Sequence, residues 1–472
     1  MKNKVFLSLV AVLLVTTLDV AGMTCQYIPD PEPGETQIVI GMSRSITGPL
    51  YMIHNLAFRP VYSTYTAMVN NPGYGGIDIG GTKFPMAYVE KNDNSEDSKL
   101  IAHTLDLINM VRRGEVTTIF GPTCTRFIDI TAPYCNNNDC VLMTAEGGAT
   151  FLEEPGYLPE WPYVFINLSF SDWYQLPVLA KTLAEAHQAY YGGNATPTAY
   201  IFWQDDAHGE EYLATAATEF PAAGIDIVGN ASVLDTLSPD YAALVAGANA
   251  TSPDIVCCFC YLDEVCGLTE AAIDLNFNVA AWVAGPGGNF GWFAGPDGVG
   301  SAAEGVICFA TANNKTSESM RWLFDDMIEP FMDIVGASIP PAAGGPFPGF
   351  FFLDFWGQPL YWAALQMWEE AIGAVGVVTA GPPATFHVSQ AALKDKLHTY
   401  DGIVDSVPTI LGDTYYDFFG TGGGILAYEC HPGEIGQWQD GYVEIVGYEN
   451  ITNDLPNYVV TANLTYPKPV WP

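Results

Sequence analysis

Basic residues are scarce in this chain of 472 residues, which has 16 Lys and Arg against 53 Asp and Glu and a formal charge of −37. Nucleic-acid binding needs clustered Lys and Arg that displace counterions from phosphates, so this balance argues against it. Docking on anionic lipid is disfavoured for the same reason. Intrinsic disorder is excluded as well, because 49% of the residues are hydrophobic and only 15% are charged.

Long apolar runs are also missing downstream of the N-terminus. No uninterrupted run reaches the roughly 18 to 20 residues that a membrane-spanning helix needs. The richest stretch, residues 347–380, is broken by Asp354, Glu369 and Glu370. We therefore expect the folded part of the chain to be soluble.

The N-terminus itself is typical of a secretory signal peptide. Lys2 and Lys4 precede an apolar segment at 5–15, and small residues follow at 20–22. We expect residues 1–22 to be the signal peptide and 23–35 a linker. The protein is then exported, to the periplasm, the cell surface or the medium.

Catalytic and metal signatures are absent too. The chain has no Gly-x-Ser-x-Gly elbow and no His-Glu-x-x-His pair, and no Lys-Ser/Thr follows the glycine-rich segment 420–424. Cys257, Cys258 and Cys260 fall in an apolar strand, which favours a core strand over a thiolate metal site. The sequence therefore predicts a protein that is not an enzyme and has no metal or cofactor.

Cysteine and asparagine patterns bear on export. Ten cysteines are compatible with an oxidising compartment, and Cys135 and Cys140 flank a turn-rich segment that makes them a candidate disulfide. Seven Asn-x-Ser/Thr sequons exceed the two or three that this composition gives by chance, and indicate a glycosylated surface. These sequons lie at Asn167, Asn194, Asn230, Asn249, Asn314, Asn450 and Asn463.

Short apolar runs alternate with segments of helical periodicity along most of the chain. Strands are expected at 37–42, 85–89, 117–120, 140–144, 198–203, 225–228, 255–259 and 280–283. Helices are expected at 58–69, 99–112, 127–134, 176–190, 210–220, 241–248, 264–275 and 360–372. This rhythm predicts an α/β fold with two doubly wound parallel sheets, whose ligands bind beyond the carboxyl ends of the strands.

The loops after these strands carry a family resemblance. An ordered series of segments resembles the type I periplasmic binding proteins, in particular the branch that binds branched-chain amino acids, amides and urea for ABC importers. The segments are 38–49, 119–125, 141–150, 206–209, 253–261, 284–288, 303–305 and 466–469. The resemblance covers about residues 36 to 470.

The resemblance implies two lobes that close over a small solute. Lobe one should comprise 36–166 plus 308–436, and lobe two 167–307 plus 437–472, with three chain crossings as the hinge. The tail should return to lobe two with strands at 441–446 and 458–460.

The resemblance also implies ligand-binding positions. Thr125, with the helix that begins near Arg126, should hold an oxygen of the ligand, although Thr125 would alternatively serve only as a helix N-cap. Gly148 and Thr150 match further ligand contacts. His208 lies where the family often has an aromatic residue, and Tyr261 matches an aromatic residue over the ligand.

Departures from the family pattern limit the ligand class. Gly287 stands where amino-acid binders usually have an acid that pairs with the ligand ammonium. Glu146 would replace that acid, or would pair with Arg126. Three of the six arginines, Arg44, Arg59 and Arg126, fall near the cleft. They either contact the ligand or neutralise nearby carboxylates.

The predicted function is a solute-binding protein that captures a small polar amide, a urea-like compound or an amino-acid derivative for ABC-type uptake. Its partners would be this small molecule and an ABC transporter permease. The alternative is a glycosylated surface or assembly protein, which keeps the clamp fold without transport and associates with further copies of itself.

Overall fold

A computed structural model describes residues 26–27, 36–145, 150–168, 175–193, 195–233, 239–335, 348–430, 434–448 and 459–472. Two sheets organise this part of the chain. The first has eight strands, in the spatial order Gln26–Tyr27, Met86–Asn92, Ile38–Arg44, Thr118–Phe120, Leu142–Thr144, Val164–Ile166, Gly424–Leu426 and Tyr416–Phe418. The second has seven, in the order Asp226–Val233, Thr198–Gln204, Ile255–Phe259, Ala281–Val283, Ile307–Phe309, Glu434–Gln439 and Tyr442–Tyr448.

The interior strands of both sheets run parallel, as the sequence predicts. Antiparallel pairing is confined to the margins, where Gln26–Tyr27 pairs with Met86–Asn92 and Gly424–Leu426 with Tyr416–Phe418. In the second sheet, Glu434–Gln439 is antiparallel to both of its neighbours. Three two-stranded ribbons complete the strands: Ile77–Ile79 with Thr82–Phe84, Val377–Thr379 with Thr385–His387, and Val407–Thr409 with Gly412–Thr414.

Helices connect the parallel strands. The α-helices are Tyr51–Ile53, Arg59–Val69, Asp97–Arg113, Thr125–Asn136, Leu176–Tyr191, Ala207–Ala222, Tyr241–Asn249, Leu262–Asp274, Glu318–Arg321, Glu329–Val335, Gly357–Val375 and Gln390–Leu397. Within the described ranges, the segments His54–Phe58 and Trp322–Ile328 are π-helical. Short 3₁₀ turns form there at Thr150–Glu153, Leu158–Glu160, Gly300–Ala303, Gly349–Phe352, Ile403–Asp405 and Tyr428–Cys430.

The two faces of the second sheet bury different side chains. Along the strand Ile255–Phe259, Cys257 packs in one hydrophobic cluster and Cys258 in another, because successive residues of a strand point to opposite faces. Both thiols are fully buried, as is that of Cys260. The prediction of a core strand is therefore confirmed, and the described residues contain no group of three or more potential metal ligands.

The chain passes between the two sheets three times. The crossings lie between Ile166 and Thr198, between Phe309 and Tyr416, and between Leu426 and Glu434. Two strands of the second sheet, Ile307–Phe309 and Glu434–Gln439, extend across the boundaries that the sequence predicts at 307/308 and 436/437. The division into lobes with these boundaries stays a prediction.

Predictions about the tail and about one cysteine pair are wrong. Val459 and Val460 lie outside any strand, and the tail follows the second sheet without adding to it. Cys135 and Cys140 are both free thiols; Cys140 Sγ lies 3.5 Å from the Asn138 carbonyl oxygen, and Cys135 is buried in its helix. The predicted disulfide is therefore not formed.

The sequons differ in accessibility. Asn230, Asn249 and Asn463 are exposed and Asn314 is half-buried. Asn167 is buried, its amide nitrogen donates to the Thr144 carbonyl, and its oxygen accepts from the Tyr416 hydroxyl, so the fold has no room for a glycan there. Asn194, Asn450 and the predicted signal peptide lie outside the described residues. Among the described helices, none has the length and apolar character to cross a bilayer.

The core of the first sheet depends on Trp368, which gives a first test. Its fully buried indole packs edge-on against Phe120 at 5.6 Å and donates to Thr118 Oγ1 at 2.9 Å. Trp368→Ala should lower the free energy of unfolding by about 3 to 5 kcal/mol in urea titrations, because it leaves a large cavity. Leu105→Ala, at a side chain that is 41% exposed, is the control and should cost under about 1 kcal/mol. Equal costs for the two variants would contradict this account of the core.

Candidate functional site

A cavity lies where the carboxyl ends of the two parallel sheets face each other. The space free of protein atoms in the cavity is about 710 Å³, counting its open mouth. The centre of a water molecule can be placed within about 50 Å³ of that space. That space suits a small solute, since one water needs roughly 10 to 15 Å³ on this measure. The wall consists of Ile53, Ala57, Phe58, Thr123, Cys124, Thr125, Ala145, Leu168, His208, Glu211, Tyr212, Tyr261, Leu262, Pro286, Gly287, Phe290, Asp354, Trp356 and Gly357.

The first-sheet wall is the turn that follows the strand Thr118–Phe120. Thr123 Oγ1 accepts from the Ser45 amide at 2.9 Å, which holds the turn against the neighbouring strand. Cys124 is extended and occupies the N-cap of the helix Thr125–Asn136, so Thr125 is its first helical residue. The reading of Thr125 as an N-cap is therefore wrong. Its side chain is 5% exposed and forms part of the wall, at the positive end of the helix dipole.

The second-sheet wall is fixed by one carboxylate. Asp206 caps the helix Ala207–Ala222 by accepting from the amides of His208 and Gly209 at 3.0 and 3.2 Å. Its other oxygen accepts from the Tyr261 hydroxyl at 2.9 Å. The rings of His208 and Tyr261 then stack with centroids 5.0 Å apart and planes 17° apart. Asp206 thereby sets the position of both aromatic side chains that the sequence places in the cleft.

His208 presents an unused nitrogen in this wall. Burial lowers the pKa of its imidazole below the ordinary value, so the ring is neutral near pH 7. Its Nε2 is buried and has no hydrogen-bond partner among the described residues. In a neutral imidazole this nitrogen either accepts or donates a hydrogen bond, depending on the tautomer. It therefore suits either a donor or an acceptor group of a ligand.

Gly287 packs too closely to carry a side chain. A Cβ atom there would lie 2.8 Å from the carbonyl carbon and oxygen of Tyr261 and 2.9 Å from the Leu262 nitrogen. All three are backbone atoms and cannot swing away. The acid that amino-acid binders carry at this position is therefore excluded by steric contact with the neighbouring strand end.

A third part of the wall comes from a distant segment that sequence reasoning missed. Asp354 is 1% exposed and accepts from the side-chain amide of Asn289 and from the Trp356 backbone amide at 2.9 Å. Burial raises the pKa of Asp354 to about 6. The hydrogen bonds from Gly357, Trp356 and Asn289 lower the pKa, but they offset burial only in part. Trp356 Nε1 is buried without a partner among the described residues. The wall thus offers an indole N–H donor beside a carboxylate.

The charged side chains of the described wall are acidic. Glu211, one turn after His208 on the same helix, and Asp354 are carboxylates, and no Lys or Arg is among the described residues of the wall. The sequence signal for Asp354 is its charge, which interrupts the most apolar stretch of the chain ahead of Glu369 and Glu370. Glu211 follows His208 by three residues, which is the spacing of one helical face.

The three cleft arginines of the sequence analysis lie outside the wall. Arg126 is 3.4 Å from Asp97 and Arg59 is 3.6 Å from the buried Glu90, so both neutralise carboxylates. Arg44 is fully buried and donates to the Pro122 carbonyl and to the Tyr361 hydroxyl. It supports the turn from behind.

The structure therefore brings Thr125, His208, Tyr261 and Gly287 together around one cavity. Glu146 and Gly148 lie outside the described residues. Thr150 begins a 3₁₀ turn, but its side chain is also outside the described part.

Comparison with known proteins places the fold. No protein-family model and no curated protein matches the sequence. Among solved structures, a solute-binding protein of an ABC transporter from Rhodopseudomonas palustris BisB5, in complex with 3,4-dihydroxybenzoic acid, is 14% identical with a TM-score of 0.64, over 89% of this chain and 98% of that one. An extracellular ligand-binding receptor from R. palustris HaA2 is 19% identical with a TM-score of 0.62, over 87% of this chain and 100% of that one.

A third structure is the branched-chain amino acid transporter substrate-binding protein LivJ from Streptococcus pneumoniae, in complex with isoleucine. It is 15% identical with a TM-score of 0.60, over 87% of this chain and 100% of that one. At these identities the likeness shows the fold. The predicted α/β fold with two mainly parallel sheets is confirmed, and these solute-binding proteins share it.

The close packing of Gly287 gives a second test. Gly287→Ala should lower the free energy of unfolding by about 1 to 3 kcal/mol, because the methyl group overlaps backbone atoms. Gly247→Ala is the matched control, in a helix where a Cβ would meet nothing within 4 Å. It should stabilise by up to about 1 kcal/mol through helix propensity. Urea unfolding measures both, and a neutral Gly287→Ala would contradict the steric argument.

The raised pKa of Asp354 gives a third test. The unfolded state releases this proton near pH 4 and the folded state only near pH 6. The folded state binds the proton more tightly between these values, so the free energy of unfolding should fall as the pH rises from 4.5 to 7. Asp354 should account for about 1 to 3 kcal/mol of that fall.

Asp354→Asn isolates this contribution, because the variant removes the titration and keeps the shape. Its unfolding free energy should fall less over the same pH range than that of the wild type. Asp263, whose pKa burial also raises to about 6, remains in the variant and accounts for part of the residual slope. Identical pH profiles for the two proteins would show that Asp354 does not titrate in this range.

Proposed function

We propose that this protein is a non-catalytic solute-binding protein, exported to the periplasm or cell exterior, that closes over a small polar solute and presents it to an ABC-type importer. The observation that carries the proposal is the cavity between the two sheets, in whose wall His208 Nε2 and Trp356 Nε1 are buried without partners among the described residues. Buried polar atoms cost about 1 to 3 kcal/mol each when unpaired. A ligand with complementary groups would recover that cost.

The solute class follows from the chemistry of the wall. The N-terminal end of the helix Thr125–Asn136 attracts a carbonyl or carboxylate oxygen without a basic side chain. Glu211 and Asp354 attract N–H groups or a positive charge. An amide, a urea-like compound or an amino-acid derivative has both kinds of group within a few atoms.

Transport is supported by the kind of protein that shares the fold. LivJ from S. pneumoniae is the substrate-binding protein of an amino acid transporter, and the R. palustris BisB5 protein is the solute-binding protein of an ABC transporter. We infer that a transporter permease is the macromolecular partner, and that the solute is released to it when the two sheets separate.

The second candidate is a glycosylated surface or assembly protein without transport. It is favoured by the exposed sequons at Asn230, Asn249 and Asn463. Thermal unfolding in the presence of amino acids, short amides and urea separates the two functions. A ligand at 100 times its dissociation constant should stabilise the protein by about 2.7 kcal/mol. No shift with any solute, together with self-association in light scattering, would favour the second candidate.

The binding site is tested with the solute that the thermal screen identifies. Thr125→Val removes a wall hydroxyl, and Tyr261→Ala removes the ring that stacks on His208. Each should weaken binding in calorimetry by about 1 to 3 kcal/mol, that is roughly 5- to 150-fold. Thr131→Val is the control, since Thr131 is equally buried on the same helix but lies outside the wall. Wild-type affinity in the first two variants would refute the site.

A further inference from the structure

A second concave surface lies on the first-sheet side of the molecule and shares no residue with the cavity wall. We call it the lateral groove. The space free of protein atoms in it is about 1860 Å³, counted as for the 710 Å³ of the cavity, and it is open to solvent. It is lined by Tyr65, Met68, Asn71, Gly73, Tyr74, Asp78, Trp322, Met327, Trp362, Gln366, Glu369, Glu370, Gly373, Ala374, Val407 and Pro408.

One helix supplies the floor of the lateral groove. Along Gly357–Val375, the lining residues Trp362, Gln366, Glu369, Glu370 and Gly373 recur at the three- and four-residue spacing of a single helical face. The other lining residues come from the helix Arg59–Val69, the segment 71–78, the π-helical segment Trp322–Ile328 and the Val407–Thr409 strand. The groove is thus formed between separate elements of secondary structure and not within a single loop.

Aromatic rings form one wall of the groove. The Trp362 ring is packed edge-on by Tyr65 at 5.0 Å and by Trp322 at 5.6 Å. Trp322 is 36% exposed and Tyr74 is 38% exposed, although both are large aromatic residues. Exposed aromatic faces beside a concavity indicate a surface that is suited to a ligand.

The carboxylates of the groove lack cations. Glu369 accepts from the hydroxyl groups of Tyr65 and Tyr74, which fixes its orientation. Glu370 and Asp78 add two further carboxylates. None of the three forms an ion pair within the described residues, where the nearby Lys83 instead donates to the Tyr74 carbonyl and sits over the Tyr74 ring.

The groove therefore combines the exposed aromatic side chains of Trp322 and Tyr74 with three carboxylates that form no ion pair within the described residues.

We propose that the lateral groove binds a small organic cation of the quaternary or tertiary ammonium class. Alkylated ammonium groups are attracted by the faces of Trp and Tyr and lose little hydration on binding. The three carboxylates add attraction for a positive charge. This site is independent of the proposed solute cavity.

Choline and its neutral carbon isostere, 3,3-dimethylbutan-1-ol, test the proposal on the full chain. The two molecules have nearly the same shape and the same hydroxyl group and differ in charge. Titration calorimetry and tryptophan fluorescence should show choline binding that weakens with added salt, and at least about tenfold weaker binding of the isostere. Equal binding of both molecules, or of neither, would overturn the proposal.

Variants locate the binding in the groove. Glu369→Gln and Trp322→Leu should each weaken choline binding about fivefold or more, because each removes one attraction from a surface that stays folded. The matched controls are Glu154→Gln and Tyr190→Leu, at exposed side chains outside the groove, and both should bind as the wild type does. Tyr261→Ala should also leave choline binding unchanged. Binding that Tyr261→Ala removes and the groove variants keep would place choline in the cavity and refute the lateral site.

Discussion

The buried carboxylate of Asp354 is the constraint on which much of the molecule depends. A carboxylate with 1% exposure is tolerated only when hydrogen bonds satisfy it, and here the donors are the Asn289 side chain and the amides of Trp356 and Gly357. Asn289 follows a strand of the second sheet, whereas Gly357 begins the long helix that packs on the first. Satisfying one charge therefore fixes the start of that helix against the opposite sheet, and Trp356 is held in the cavity wall as a result.

The helix Gly357–Val375 extends that constraint across the first sheet. At about 1.5 Å per residue, its 19 residues span roughly 28 Å. Its first turn lies at the cavity, Trp368 on one face is buried against Thr118 and Phe120, and Trp362 and Glu369 on another face line the lateral groove. One rigid element thus supports the core and both concave surfaces. Its composition is so apolar that the sequence predicts only a core helix.

The fold was predictable because alternating strands and helices leave a periodic record, as at Ile255–Phe259, where the expected and observed bounds agree. Thr125, His208 and Tyr261 were expected in the cleft because the loops that carry them, each after a strand, resemble the binding loops of a known family. Asp354 and Trp356 were not, since they reach the cavity from far along the chain through tertiary packing. Of the two roles that the sequence leaves open for the arginines, Arg59 takes the neutralisation of a carboxylate. In so acidic a chain, burying Glu90 requires a nearby cation, and Arg59 is used there and not in the cavity.

The unpaired nitrogens of the cavity bear on how a clamp of this fold would work. His208 Nε2 belongs to the second-sheet wall and Trp356 Nε1 to the segment that begins the first-sheet helix. Within the proposed function, an empty closed cavity leaves both groups dehydrated, at about 1 to 3 kcal/mol each. Opening the cleft lets water satisfy them, so the unliganded protein should favour separation of the sheets. A solute that forms hydrogen bonds to both walls satisfies these nitrogens, so opening no longer lowers the free energy of the protein. Because the solute needs both walls at once, its full binding free energy is available only in the closed form.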